Sequence, residues 1–249
     1  MTPAEALDVL ALPMTAGAAV LLTHVPLGQA VLQRGIVFMD LAVAQVAGLG
    51  ALAAGLVGWE GLWGKEVGSL LFALAGATAL WRGERLWRGV EEAVIGSVFV
   101  LAACASLLLM AKNPHGMEHM EEVLAGQILW MTQEKAFFAL GASAVLLPLC
   151  WRKSLSEPHS GGLFYLVFAL AVTISVQLVG VYLVFASLIF PALASRKRRF
   201  ALGVGYACGF MGYALGMFAS VWLDLPTGPA IVWALALCAL GLSLRQAPP

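Results

Sequence analysis

The chain has 249 residues, of which 61% are hydrophobic and 11% charged, and its formal net charge is zero; its mean hydropathy is +0.90. Soluble domains carry roughly 45–50% apolar residues, so the composition excludes an ordinary soluble domain, and the balanced charge argues against nucleic-acid binding. About 20 residues of helix cross a bilayer, which gives this chain room for eight or nine spans: an all-α, polytopic bundle forming a single transmembrane domain over residues 1–249.

The first span is expected over 9–33, read as a true crossing because no short charged leader with a cleavage site precedes it. The second, 36–58, carries Asp40 inside an otherwise apolar stretch that runs on from Arg34. An ionised carboxylate at helix centre in a bilayer costs about 2.5–3.5 kcal/mol, so membrane proteins keep one mainly where it faces a polar path or a partner. Asp40 is therefore the first residue to suspect of function, and Gln45 lies nearby on the same helix. A third span over 67–82 is followed by Arg82, Arg85 and Arg88, and the fourth, 90–111, opens on Glu91 and Glu92. These acids either complement a helix N-terminus or put Glu92 on a substrate path.

Between the fourth and fifth spans lies Asn113-Pro-His115-Gly-Met-Glu118-His119-Met-Glu-Glu122, which contains His-x-x-Glu-His. On one helical face the two histidines could ligate a metal with Glu118 as base. Pro114 and Gly116 set His115 in a turn or first helical turn, and no distant third ligand is evident. A solvated acidic loop, metal capture at a pore mouth by His115, Glu118 and His119, and a hydrolytic centre remain as readings. The fifth span is expected over 135–151. The segment 163–194 reads either as two bent half-spans, 163–177 and 179–194, meeting near Gln177 and Gly180, or as one long tilted helix. Thr173, Ser175 and Gln177 bring polar groups into it that line a path or satisfy broken backbone. The last spans are 200–222, where Gly205, Gly209, Gly212 and Gly216 favour close helix packing, and 227–244.

Charge bias selects the two half-spans. With nine crossings and an external N-terminus, Arg34, Arg82, Arg85, Arg88, Arg152, Lys153, Arg196, Lys197, Arg198, Arg199 and Arg245 fall inside, eleven of the fourteen basic residues. That is the positive-inside pattern. Trp59, Trp63, Trp81, Trp87, Trp130, Trp151 and Trp222 cluster near span ends, where indoles anchor at the lipid interface. Cys104, Cys150, Cys208 and Cys238 lack metal or redox spacing and read as packing residues.

Several segments in order resemble the permease subunits of ABC importers for zinc, manganese and iron. They are Pro26-Leu-Gly28 through Arg34 to Phe38-Met-Asp40; Glu92-Ala-Val-Ile-Gly96; Gly126-Gln-Ile-Leu-Trp130; Val179-Gly-Val-Tyr-Leu-Val-Phe-Ala-Ser-Leu-Ile-Phe-Pro191-Ala-Leu-Ala; and Asp224-Leu-Pro226-Thr-Gly228-Pro. The resemblance implies a multi-pass protein of the plasma (bacterial inner) membrane. It also implies a homodimeric pathway, a cytoplasmic ATPase subunit beneath it, an external solute-binding protein above it, and a divalent metal as cargo rather than a tightly bound cofactor. Along that path Asp40, Gln45, Glu92 and Gln177 are the candidate contacts.

Two departures stand out. The family carries Asp-x-x-x-His on its second span, and here Ala44 holds the histidine position. Gln45 is rotated by about 140° from Asp40 and cannot substitute on the same face. The site would then draw on Asp40 from both subunits or on other helices, and selectivity would drift from zinc towards harder ions or something other than a bare cation. The loop Arg152–Gly161 is also shorter than the family's ATPase-docking segment and lacks its acidic-Pro-Glu-x-Ala pattern. With no Gly-x-x-x-x-Gly-Lys-Ser/Thr loop, the chain is read as a non-enzymatic subunit. An intramembrane metalloenzyme and a permease-derived protein without transport are the alternatives.

Overall fold

The computed structural model describes residues 3–59, 63–87, 89–111, 113, 115–126, 128–152 and 161–244. Among them are nine α-helices: α1 (Pro3–Arg34), α2 (Met39–Leu56), α3 (Gly64–Leu86), α4 (Glu91–Met110), α5 (Gly116–Ala125), α6 (Gln133–Cys150), α7 (Gly161–Ser195), α8 (Ala201–Leu223) and α9 (Thr227–Leu244). A single 3-10 turn, Ile128–Trp130, joins α5 towards α6, and the described residues hold no strand. Six helices are long and apolar enough by themselves to cross a membrane: α2, α4, α7, α8, α9 and the Leu10–Arg34 part of α1. The expected all-α polytopic bundle is thus the fold.

The segment 161–195 resolves the choice left open by the sequence. A straight helix of that length would extend about 50 Å at 1.5 Å per residue and could not touch one end of a neighbour with both its termini. Yet the guanidinium of Arg34, the last residue of α1, sits 4.0 Å over the Phe164 ring. Ser195, at the other end of α7, accepts a 3.1 Å hydrogen bond from Gln29 Nε2 of the same α1 terminus. Between them Gly180 has φ 76° and ψ 165°, outside helical space. The chain therefore reverses at Gly180, and α7 is two arms that each traverse the bundle. With α3 and α6, which run between the same two ends, the described residues make nine traverses.

Glycine is required at this elbow. A left-handed φ is costly for a residue bearing a Cβ, and a Cβ there would lie 2.7 Å from the Ala125 carbonyl carbon and 2.8 Å from the Leu124 oxygen. Gly126, also at positive φ, presses its backbone against Val179 and Gly180 from the other side. The elbow is thus held by backbone contact with the end of α5.

The remaining packing follows from the small residues of α8. Gly205 and Gly209 admit Val25 and Leu21 of α1, while Gly212 and Gly216 admit Leu235 and Ile231 of α9. The expected close packing is present, and both partners belong to the same chain. Tyr213, buried in the centre, exchanges a 2.8 Å hydrogen bond with Ser187 of α7. One end of the bundle gathers Arg34, Arg152 and the α7–α8 turn, where Arg198 caps α9 by donating to the Leu242 carbonyl at 2.7 Å. The opposite end gathers Lys65, Glu66, Lys135 and α5. By the positive-inside rule the first end is cytoplasmic.

Candidate transport pathway

The outer end opens into a cavity of about 700 Å³ between α2, α3, α5, α6 and the elbow of α7. Its α2 wall is formed by Gly48, Ala51, Leu52, Gly55 and Leu56, and Gly50 lets α3 approach α2 through Gly68 and Phe72. Charge enters from three other helices: Lys65 and Glu66 on α3, His119 and Glu122 on α5, and Lys135 on α6. Lys135 Nζ lies 3.1 Å from Glu66 Oε1 and ties α6 to α3 across the mouth. Gln177, one of the sequence candidates, stands in the wall just before the elbow. Thr173 faces elsewhere in function: its hydroxyl donates to the Ala169 carbonyl at 2.7 Å, satisfying helix backbone.

The other candidates are placed differently. Asp40 is second in α2, which begins at Met39 after Gly35 ends α1 at positive φ. It therefore lies in a first turn near the cytoplasmic end and not at helix centre, and the mid-bilayer cost does not apply there in full. Its side chain is nevertheless 0% exposed and neither carboxylate oxygen has a hydrogen-bond partner. Gln45 is also buried. Neither residue lines the cavity, whose deepest α2 residue, Gly48, lies about 12 Å beyond Asp40 along the helix axis. Glu92 is exposed on the surface of α4 and away from the cavity, so the chain's own fold does not bring it to this path.

The His-x-x-Glu-His segment is a helix rather than a loop. His115 occupies the N-cap of α5, and Gly116 and Met120 face inward. His115 Nδ1 pairs with Glu118 at 3.0 Å and His119 Nδ1 with Glu122 at 3.6 Å, giving two separate i,i+3 pairs. Of these four side chains, His119 and Glu122 line the cavity and His115 and Glu118 do not. Among the described residues no three His, Cys, Asp or Glu side chains converge to hold a metal.

Two polar groups carry no pattern in the sequence. Ser69, in the cavity wall, is 0% exposed and its hydroxyl has no partner. His24 is wholly buried in α1, with Nδ1 3.0 Å from the Val20 carbonyl and Nε2 without a partner. A lone serine or histidine in an apolar run gives no spacing to read; only the presence of a polar group in a span marks either one. The segment 153–160, most of the short loop expected to meet an ATPase, lies outside the described residues.

These features define a polytopic membrane protein whose bundle admits a charged cavity at one end and buries an unpartnered carboxylate towards the other. The chain matches the ABC 3 transport family over residues 7–156 and 152–246, and it belongs to that family. It is a permease-type, multi-pass protein of the inner membrane. It is 26% identical over 187 residues to the chelated iron transport system membrane protein YfeC of Yersinia pestis, covering 66% of this chain and 63% of that protein. A probable iron transport system membrane protein of Haemophilus influenzae is 26% identical over 163 residues, 57% of each chain. The match thus spans about three fifths of the length of these relatives. In fold the chain is similar to PsaBC from Streptococcus pneumoniae, solved in complex with Fab, with a TM-score of 0.76, 20% identity and coverage of 99% of this chain and 97% of that one. It is also similar to a protein described as a metal-chelate type ABC transporter in an inward-facing conformation, with a TM-score of 0.63, 16% identity and coverage of 98% and 100%.

Proposed function

We propose that the chain is the membrane-spanning subunit of an ABC importer that moves a divalent metal ion (zinc, manganese or iron) or a metal chelate into the cytoplasm. The observation that carries this reading is the outer cavity, charged at its mouth and ending along α2 above a carboxylate that no described residue satisfies. A buried carboxylate without a partner is costly, and a cation passing down α2 would supply what is missing. Asp40 is then the inner contact, Gln177 and His119 are outer contacts, and Gln45 lies between the two levels. Glu92, exposed on α4, reaches the path only if a second copy of the chain completes it, which is the homodimer that family resemblance suggests.

ATP hydrolysis belongs to a separate cytoplasmic subunit, and an external solute-binding protein delivers cargo to the cavity. The test is uptake of radiolabelled iron, manganese and zinc by cells producing the chain together with an ABC ATPase and a solute-binding protein from its own source. Uptake of at least one metal is expected, lost when the ATPase carries an inactive phosphate loop. Metal accumulation equal to that of cells lacking the chain would overturn the reading.

A further inference from the structure

We propose that the turn between α7 and α8 binds the headgroup of an anionic phospholipid in the cytoplasmic leaflet. The inference goes beyond the transport reading and does not depend on the cargo. Charge is the first argument. Residues 196–199 read Arg-Lys-Arg-Arg, the longest basic run in the chain, and none of the four makes an ion pair among the described residues. The helices that meet there cannot neutralise them, since α7, α8 and α9 contain no Asp or Glu. The other cytoplasmic basic cluster differs: Arg82, Arg85 and Arg88 share their segment with Glu84, Glu91 and Glu92.

Geometry is the second argument. The turn is fixed by hydrogen bonds from the Arg196 N–H to the Leu193 carbonyl at 3.2 Å and from the Arg198 N–H to the Ser195 carbonyl at 3.1 Å. Between them Lys197 is held at φ 62°, a left-handed conformation uncommon for lysine. Arg198 is spent on the fold, because its guanidinium donates to the Leu242 carbonyl at the end of α9. Arg196, Lys197 and Arg199 stay exposed, three cations within four residues.

Position is the third argument and selects the occupant. Phe200 follows the basic run directly and is 75% exposed, and the large exposed side chains of α8 beyond it, Leu202, Phe210, Met211 and Leu215, are apolar. Trp151, exposed at the end of α6, donates from Nε1 to the Tyr206 hydroxyl of α8 at 3.4 Å and marks the interfacial depth beside the turn. The cations therefore sit where a hydrocarbon-facing flank ends, at headgroup level. A lipid can place its phosphate among them and its chains along the flank, and anionic headgroups are attracted to such clusters. A second copy docking through the same patch would oppose like charges. A soluble ATPase would have to cover Phe200 and a flank that lies at membrane depth.

Each Lys or Arg near an anionic surface is worth roughly a fivefold gain in affinity. The experiment is native mass spectrometry of the purified full chain, released from nanodiscs of equal parts phosphatidylglycerol and phosphatidylcholine with identical acyl chains. The parent should retain phosphatidylglycerol over phosphatidylcholine by about tenfold or more. Replacing Arg196, Lys197 and Arg199 together by Gln should bring the preference within about twofold, and Arg199→Gln alone, a milder change that serves if the triple variant fails to fold, should cut it by roughly fivefold. Arg82→Gln, an exposed arginine of the acid-balanced cluster, should leave it unchanged. Absence of a preference in the parent, or a preference that survives the triple change, would overturn the proposal. So would an equal loss from Arg82→Gln, which would mark a diffuse effect of cytoplasmic charge. A triple variant that keeps its lipid preference but no longer co-purifies with the ATPase would assign the turn to that subunit and overturn the lipid site.

Discussion

The two ends of α2 are made of one helix and behave as opposites. Towards the outside, Gly48, Ala51 and Gly55 border an open cavity into which three neighbouring helices send charge. Towards the cytoplasm, Met39, Asp40, Ala42, Val43, Ala44 and Ala47 are sealed at 0% exposure. At the first end Gly48 and Gly50 let Val123 of α5 and Gly68 and Phe72 of α3 close in on α2, and the cavity opens beside those contacts. At the second end the small side chains leave no opening, because there the helices close onto them. On the proposed reading, a path along α2 would be open to cargo at one end and shut at the other, and passage would require the packed end to open.

Changes at the elbow should break this contrast most severely. Gly180→Val adds a Cβ to a left-handed residue that already touches the backbone of α5, a combination worth about 3 kcal/mol or more of stability. The variant should be recovered in low yield with a markedly lower thermal midpoint. A parental midpoint would mean that the elbow does not hold the outer end in shape. Next in size, the two histidines should separate. His119→Ala removes a cavity donor and should raise the metal concentration for half-maximal uptake roughly three- to tenfold, about 1 kcal/mol, whereas His115→Ala, outside the cavity, should leave it alone. Equal effects would erase the distinction between lining and merely neighbouring residues. The smallest change expected is from Glu66 and Lys135. Their pair is only partly buried, at 23% and 48% exposure, so a double-mutant cycle on thermal stability should return a coupling of about 0.2–1 kcal/mol. A much larger coupling would mark the pair as a strut of the mouth.

How far the sequence could be read depended on whether the signal was local. Helix positions were legible because each apolar run carries its own length, and the reversal at Gly180 was legible because only two crossings in 163–194 place the basic residues on one side. The packing of α8 on α1 and α9 was written in its glycine spacing. Asp40 announced itself as a charge in an apolar stretch, but its depth did not, since the start of α2 is set by the positive-φ turn at Gly35. Glu92 offered two readings, a helix N-terminal charge or a path contact, and only the packing of α4 reveals that within the chain it is exposed. The cavity itself had no linear trace. Lys65, Ser69, His119, Lys135 and Gln177 come from four helices, and nothing along the chain predicts their meeting.

The central claim is that Asp40 is kept for cargo and not for the fold, and Asp40→Asn tests it most directly. The substitution preserves size and hydrogen-bonding capacity while removing the charge. Because the native carboxylate is buried without a partner, its neutralisation should leave the thermal midpoint of the purified chain unchanged or raise it, by the relief of a desolvation cost on the order of 1–3 kcal/mol. Metal uptake by the assembled transporter should fall at least tenfold in the same variant. Uptake at the parental rate, or a loss of uptake that merely follows a fall in stability, would contradict the account.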